Sequence, residues 1–385
     1  MTNIPHDKTV PTAGTDHLHG QAEVAAIDST PAGDAVPEAA ALEGAGVAVD
    51  TSPTVWRRLL TSPVIMTFLF LAATMVIFSV LAPGKFGTTS NIQQLAQNVA
   101  ILTVVSVGTT FVIATAGIDL SIPSAIVLGE VFAIKALSLI SVGSGTAVDV
   151  AAEDTKALYV LAALAAALFA GLILGLINGF TVGYMRVPPM LATLGTLGGG
   201  LGIALLLQNG VNVATYALNP VATGHLIPGL SNLVLIGLLV VAIGYVGMHR
   251  SVFGRHTLAI GSSEEAARRV GLKVERHLLK VYTVGGLASG LGGFLAVAYF
   301  STTSVAGHST DNLQAITAVA LGGTSLFGGV ASIIGTLIGV WIPAVLQNGF
   351  IIVGVQPYWQ LVAVGVVLIL AIYADQLRRR SRNRR

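Results

Sequence analysis

"ALYVLAALAAALFAGLILGLINGF", Ala157–Phe180, contains no Asp, Glu, Lys or Arg. As an α-helix it rises about 36 Å, enough to cross a hydrocarbon core about 30 Å thick. A helix of this length facing water would carry charges along one face. The stretch therefore reads as a membrane span, and the rest of the chain reads the same way. Of its 385 residues 54% are hydrophobic and only 10% are charged, where a soluble domain carries about a quarter charged residues. Apolar runs of this kind recur at 63–82, 92–116, 122–141, 157–180, 190–207, 231–248, 279–300, 311–327, 330–352 and 358–374. The predicted fold is all-α, a polytopic membrane helical bundle of about ten transmembrane helices. Only "GIDLS" separates the second span from the third, and only "FGG" the eighth from the ninth. These connections predict broken or re-entrant segments. There is no cysteine, which excludes disulfides and thiolate metal sites.

Charge divides the chain into three parts. Residues 1–55 hold eight acids and one lysine with no apolar period, the composition of a disordered acidic tail. Residues 56–375 form the transmembrane domain, with a charged loop at 250–278. Residues 376–385 are a basic tail. Basic residues in short loops mark the cytoplasmic side. Arg57, Arg58, Arg186, seven Lys and Arg over 250–280 and six Arg at the C-terminus all fall on one side. Lys85 and Lys156 fall on the other, and the loop 208–230 there has no basic residue. Both termini and the charged loop are therefore expected in the cytoplasm.

Glycines recur four residues apart in the spans: Gly171, Gly175 and Gly179; Gly195 and Gly199; Gly198 and Gly202; Gly286 and Gly290; Gly335 and Gly339. Small residues at this spacing let helix backbones approach closely in lipid.

The most charged run is "IGSSEEAARRVGLKVERHLLK", Ile260–Lys280. Ser262 followed by Glu265 has the spacing of a capping box. Acids precede arginines, which suits a helix dipole. Gly271 can end the helix in a left-handed conformation. The expectation is a surface helix of about two turns, with small residues at Ala266 and Ala267 where another protein can pack.

"GSSEEAARRVGL" (261–272) resembles the cytoplasmic coupling loop of permease subunits of ATP-binding-cassette importers. "AGIDLSIPS" (116–124), "VPPMLATLGT" (187–196), "AVALGGTSLFGGVASIIGTLIG" (318–339) and "LQNGFIIVGVQPYWQ" (346–360) are similar to segments of the branch that imports ribose, xylose, galactose and related sugars. The likeness runs from about residue 60 to 375. It implies a permease subunit of the bacterial cytoplasmic (inner) membrane that carries a monosaccharide inward. It implies as partners ATPase subunits, an extracellular or periplasmic sugar-binding protein and a second permease chain, homo- or heterodimeric. The coupling helix would be Glu264, Glu265, Ala266, Ala267 and Gly271. No G-x-x-x-x-G-K-[ST] phosphate loop is present. ATP and Mg would therefore be bound by the partner, and this chain is expected to have no catalytic residue, metal or cofactor of its own and no nucleic-acid partner. An ion-coupled secondary transporter of a small polar solute is the alternative; it needs carboxylates at the bilayer midplane.

Ionisable residues inside the membrane are functional candidates. Asp119 lies in the "GIDLS" break, where it can cap the helix beginning near Ser121 or face a translocation path. Glu130 can face the path, pair with a partner or bond between helices. Asn178 and Asn348 complete the candidate path, Asp119, Glu130, Asn178 and Asn348. His225 and His308 lie outside and read as solvent-facing. Residues 117–129 and 323–335 match at four positions, the possible trace of an internal duplication.

Overall fold

The computed structural model describes residues 62–140, 147–148 and 156–382. The acidic tail at 1–55, most of the 142–156 loop and the last three arginine-rich positions lie outside the described residues. Thirteen helices follow in order: α1 Pro63–Leu81, α2 Thr89–Ala114, α3 Ile122–Ile140, α4 Lys156–Gly183, α5 Pro189–Gln208, α6 Asn219–Thr223, α7 Asn232–Tyr245, α8 Val252–Ser262, α9 Glu264–Arg269, α10 Val274–Phe300, α11 Asp311–Leu321, α12 Ile333–Val353 and α13 Pro357–Arg382. A π-helical turn, Val246–Arg250, extends α7. Two-residue strands, β1 Ala147–Val148 and β2 Ala214–Thr215, pair in parallel.

Eight helices, α1 to α5, α7 with its π turn, α10 and α12, are long and apolar enough to cross a bilayer. The expected eighth span is the main correction. It is only the 11-residue α11, followed by non-helical backbone to Ser332. The cause is local. Gly323, Gly328 and Gly329 take left-handed φ of 87°, 82° and 78°, and Ser332 caps α12 by accepting from Gly335 N at 3.0 Å. The expected tenth span lies within α13, whose apolar part is Tyr358–Leu370. The first break, Thr115–Ser121, is as expected non-helical, with Ala116 at φ 61°. The two breaks are not in the register a duplication implies: the helix resumes five residues after Gly117 but ten after Gly323.

α10 is the central helix. It packs on α4, α3 and α2, and α2, α3 and α10 are the most buried spans. Its approach to α4 is backbone against backbone. A Cβ on Gly175 would lie 2.6 Å from Tyr282 O, on Gly179 2.7 Å from Leu279 Cα, and on Gly183 2.9 Å from Glu275 O. The glycine pairs expected in α5 do not behave this way. Gly195, Gly198, Gly199 and Gly202 face open space, so their spacing serves no contact within this chain's described residues.

This difference is testable. Gly175→Leu must force two backbones apart and should cost about 3 kcal/mol, the upper end for overpacking. Gly199→Leu should be tolerated by the isolated chain. Membrane abundance and thermal unfolding in detergent should fall for the first and hold for the second.

Candidate functional site

The first break is held by a polar node joining three helices. Asp119 Oδ1 accepts from Ser121 N at 2.8 Å and Ser121 Oγ at 2.6 Å. Asn178 Nδ2 on α4 donates to Ser121 Oγ at 2.7 Å, and Thr196 Oγ1 on α5 donates to Asn178 Oδ1 at 2.6 Å. Thr193 Oγ1 accepts from Leu120 N at 3.0 Å. Asp119 and Asn178 are thus brought together through Ser121. Asp119 closes a turn around Ser121, whose own carbonyl accepts from Ala125 N at 3.0 Å as α3 begins. Behind the node, the Tyr282 hydroxyl on α10 is buried with no hydrogen-bond partner among the described residues. It is close to Gly117, where a Cβ would lie 2.6 Å from it. Thr193, Thr196 and Tyr282 were missed by sequence reading. The two threonines sit three apart beside glycines, a faint sign of a polar helix face; Tyr282 carries no sign at all.

The other two path candidates stand apart. Glu130, fully buried, accepts from Ser304 N at 2.9 Å and meets His308 Nε2 at 2.8 Å. His308 Nδ1 lies 2.7 Å from Asp311 Oδ2. His308 is therefore not solvent-facing: it is buried between two carboxylates in the loop joining α10 to α11. Burial alone would push its pKa down, but the bonds to Asp311 and Glu130 and their charges reverse this and raise it to about 10. His225 is exposed, as expected. Asn348 on α12 exchanges two 3.0 Å hydrogen bonds with Asn91 on α2.

The 250–278 segment is two short helices and not a loop. The capping residue is Ser263, which accepts from Ala266 N at 3.2 Å; Ser262 instead completes α8 by donating to Leu258 O at 2.9 Å. The cap lies one residue later than the expected Ser262–Glu265 box, because Ser262 is still the last residue of α8. Glu264–Arg268 and Glu265–Arg269 bridges of 2.7 and 2.5 Å brace α9. Arg268 also bridges Glu275 at the start of α10, and its bonds to Glu275 and then Glu264 raise its pKa further above the usual arginine value. Gly271 has φ 85°. Gly271 N donates to Arg268 O and Leu272 N to Ala267 O, at 3.0 and 3.1 Å, the paired bonds of a left-handed helix stop. Ala267 is buried in the chain's own core, so it is not available to a partner. The exposed small patch is Ala266 with Val270, which is 77% exposed. Sequence reading missed Val270, although its place four residues after Ala266 puts both on one face.

α8 connects this surface to the interior. Its end abuts both breaks: a Cβ on Gly261 would collide with Ala114 O and lie 2.6 Å from Gly329 N. Gly329 N in turn donates to Ala114 O at 3.0 Å. The α8–α9 segment and the two helix breaks are therefore one contiguous contact.

A family model described as "Branched-chain amino acid transport system / permease component" matches residues 91–372. A ribose import permease protein of Bacillus subtilis (strain 168) is 34% identical over 313 residues, 80% of this chain and 91% of the relative. A fructose import permease protein of Rhizobium meliloti is 31% identical, covering 82% and 86%. A D-allose transport system permease protein of Escherichia coli (strain K12) is 30% identical, covering 81% and 91%. No solved structure matches the chain.

The polar node makes a specific prediction about Asp119. Asn retains an oxygen that can accept both Ser121 bonds, so Asp119→Asn should fold with a small change in stability. Asp119→Leu strands a buried N–H and a hydroxyl, at about 1–3 kcal/mol for each lost acceptor. Unfolding midpoint and membrane abundance should separate the two variants. Equal loss in both would show that the negative charge itself holds the break.

Proposed function

This chain belongs to the branched-chain amino acid transport system / permease component family, and from that premise we propose that it is the membrane-spanning permease subunit of an ATP-binding-cassette importer. Its cargo is a monosaccharide of the ribose, fructose or allose kind, as the names of its relatives suggest. The observation that carries the reading is the contact of α8 with both helix breaks, directly behind the capped, exposed helix α9. Separate ATPase subunits supply the energy; the sequence has no phosphate loop for the purpose. A sugar-binding protein outside and a second permease chain complete the assembly. The membrane is the bacterial cytoplasmic membrane, with both termini and α9 inside.

In this mechanism the ATPase grips Ala266 and Val270 and displaces α9. The short helix is stiffened by its cap, its two internal ion pairs and its left-handed stop, so it moves as a unit. The Arg268–Glu275 bridge ties it to α10, and Gly261 presses on Ala114 and Gly329. Backbone at the two breaks lacks continuous helical bonds and is the part of the bundle able to pivot. Pivoting there shifts the Asp119, Ser121, Asn178 and Thr196 node, which holds α3, α4 and α5 together, and switches the side from which the path opens. The hydroxyl, amide and carboxylate groups released from one another are chemically suited to sugar hydroxyls. The ion-coupled alternative is weaker, because Glu130 is engaged by His308 and Ser304 N.

Ala266→Trp and Val270→Arg should leave the bundle intact, since both positions are exposed. Gly271→Val should redirect the chain leaving α9, because a left-handed residue with a side chain costs about 1–2 kcal/mol. Each should reduce uptake of labelled ribose, fructose or allose and recovery of the ATPase, at unchanged membrane abundance. Normal uptake and full complex recovery with Ala266→Trp and Val270→Arg would overturn the docking role.

A further inference from the structure

Where α4 ends and α10 begins, a pocket of about 490 Å³ is lined by Tyr184, Arg186, Lys273, Glu275 and Arg276. All three cations are exposed. The one acid is already engaged by Arg268, with Arg186 3.8 Å away. Among the described residues neither Lys273 nor Arg276 has a carboxylate within ion-pair distance. Arg186 holds a left-handed φ of 57°, a strained backbone for a side chain of its size and one that structure retains for a reason.

A second hollow of about 470 Å³ lies on the same two helices and α8, lined by Leu176, Phe253, Leu279, Lys280, Thr283 and Val284. Helical spacing joins the two. Arg276, Lys280 and Val284 recur every four residues on α10, as do Leu176 and Phe180 on α4 with Tyr184 in the turn just past its end, and residues four apart share a helix face. Phe180 and Tyr184 stack, with ring centroids 5.6 Å apart. The nine residues from Leu176 to Tyr184 span about 12 Å. The cationic pocket and the mostly apolar hollow thus lie along the same faces of two helices long and apolar enough to span a bilayer.

We propose that the α4–α10 seam binds an anionic phospholipid, with its phosphate between Arg186, Lys273 and Arg276 and an acyl chain along Leu176, Thr283 and Val284. Guanidinium groups pair with phosphate through two parallel bonds. Basic pockets between transmembrane helices on the cytoplasmic side suit anionic headgroups. A soluble anion has no use for the groove. The site does not depend on the identity of the cargo or of the ATPase. Through Glu275 and Arg268 it adjoins α9, so its lipid would sit beside the docking helix.

The test uses the full chain purified in detergent. The probes are phosphatidylglycerol, phosphatidylcholine with the same acyl chains, and inorganic phosphate. Thermal unfolding and native mass spectrometry report binding. Phosphatidylglycerol alone should raise the unfolding midpoint and remain bound. Arg186→Gln with Arg276→Gln should weaken its retention about fivefold for each charge removed. Val284→Trp, which fills the groove, should weaken long-chain more than short-chain phosphatidylglycerol. Should the arginine pair lower the lipid-free midpoint, Lys273→Gln with Lys280→Gln makes the same comparison. Equal effects of phosphatidylcholine, an effect of inorganic phosphate matching that of the lipid, or wild-type retention by the folded charge variants would each overturn the proposal. So would loss of the ATPase from those variants with lipid retention unchanged, which would mark the patch as a protein dock.

Discussion

The backbone-to-backbone approach of α4 and α10 constrains everything built around it. Inside a bilayer helices gain little from hiding apolar surface, since lipid is as apolar as leucine; they gain from close packing. Gly171, Gly175, Gly179 and Gly183 remove every Cβ that would keep α4 away from α10. With that distance set, α10 offers its other faces to α2 and α3. Gly108 meets Gly285, and Gly129 meets Gly290, on the same principle. α10 also carries two anchors: Tyr282 stands behind the first break, and Glu275 bridges Arg268 of α9.

Non-helical backbone is tolerated at membrane depth only where protein satisfies its polar groups. Both breaks meet this condition through specific partners. Leu120 N is taken by Thr193, Ser121 N by Asp119, and Gly329 N by Ala114 O. Ser332 N is taken by Thr324. The breaks thus hold each other, and the end of α8 holds both. The surface helix α9 is thus linked through α8 to a region of the described residues whose backbone bonds lie outside continuous helix. Midway along α3, the Glu130–His308–Asp311 chain ties the loop joining α10 to α11 to the same helix.

Much of this was legible in the sequence. Eight long spans, the break at "GIDLS", the left-handed stop at Gly271 and the braced charges of α9 follow from length, hydropathy and local stereochemistry, which are properties of neighbouring residues. What escaped depends on residues distant in the chain. His308 reads as a loop residue until α3 places Glu130 beneath it. The α5 glycines have the same spacing as those of α4, and only the presence or absence of a facing helix separates them. Ala266 and Ala267 are identical in type, yet one faces outward and the other enters the core. The eighth span was overestimated because "LGGTSLFGGV" is apolar enough to continue a helix; its glycines instead take conformations that end one.

The central claim is that α9 presents an inside-facing dock for an ATPase. Because the chain has no cysteine, Val270→Cys creates a single reactive site on an otherwise silent background. It should resist a membrane-impermeant thiol reagent in intact cells, react in inverted membrane vesicles, and be shielded there when the ATPase subunit is bound. Labelling from outside intact cells, or unchanged reactivity in inverted vesicles with the ATPase bound, would contradict the account.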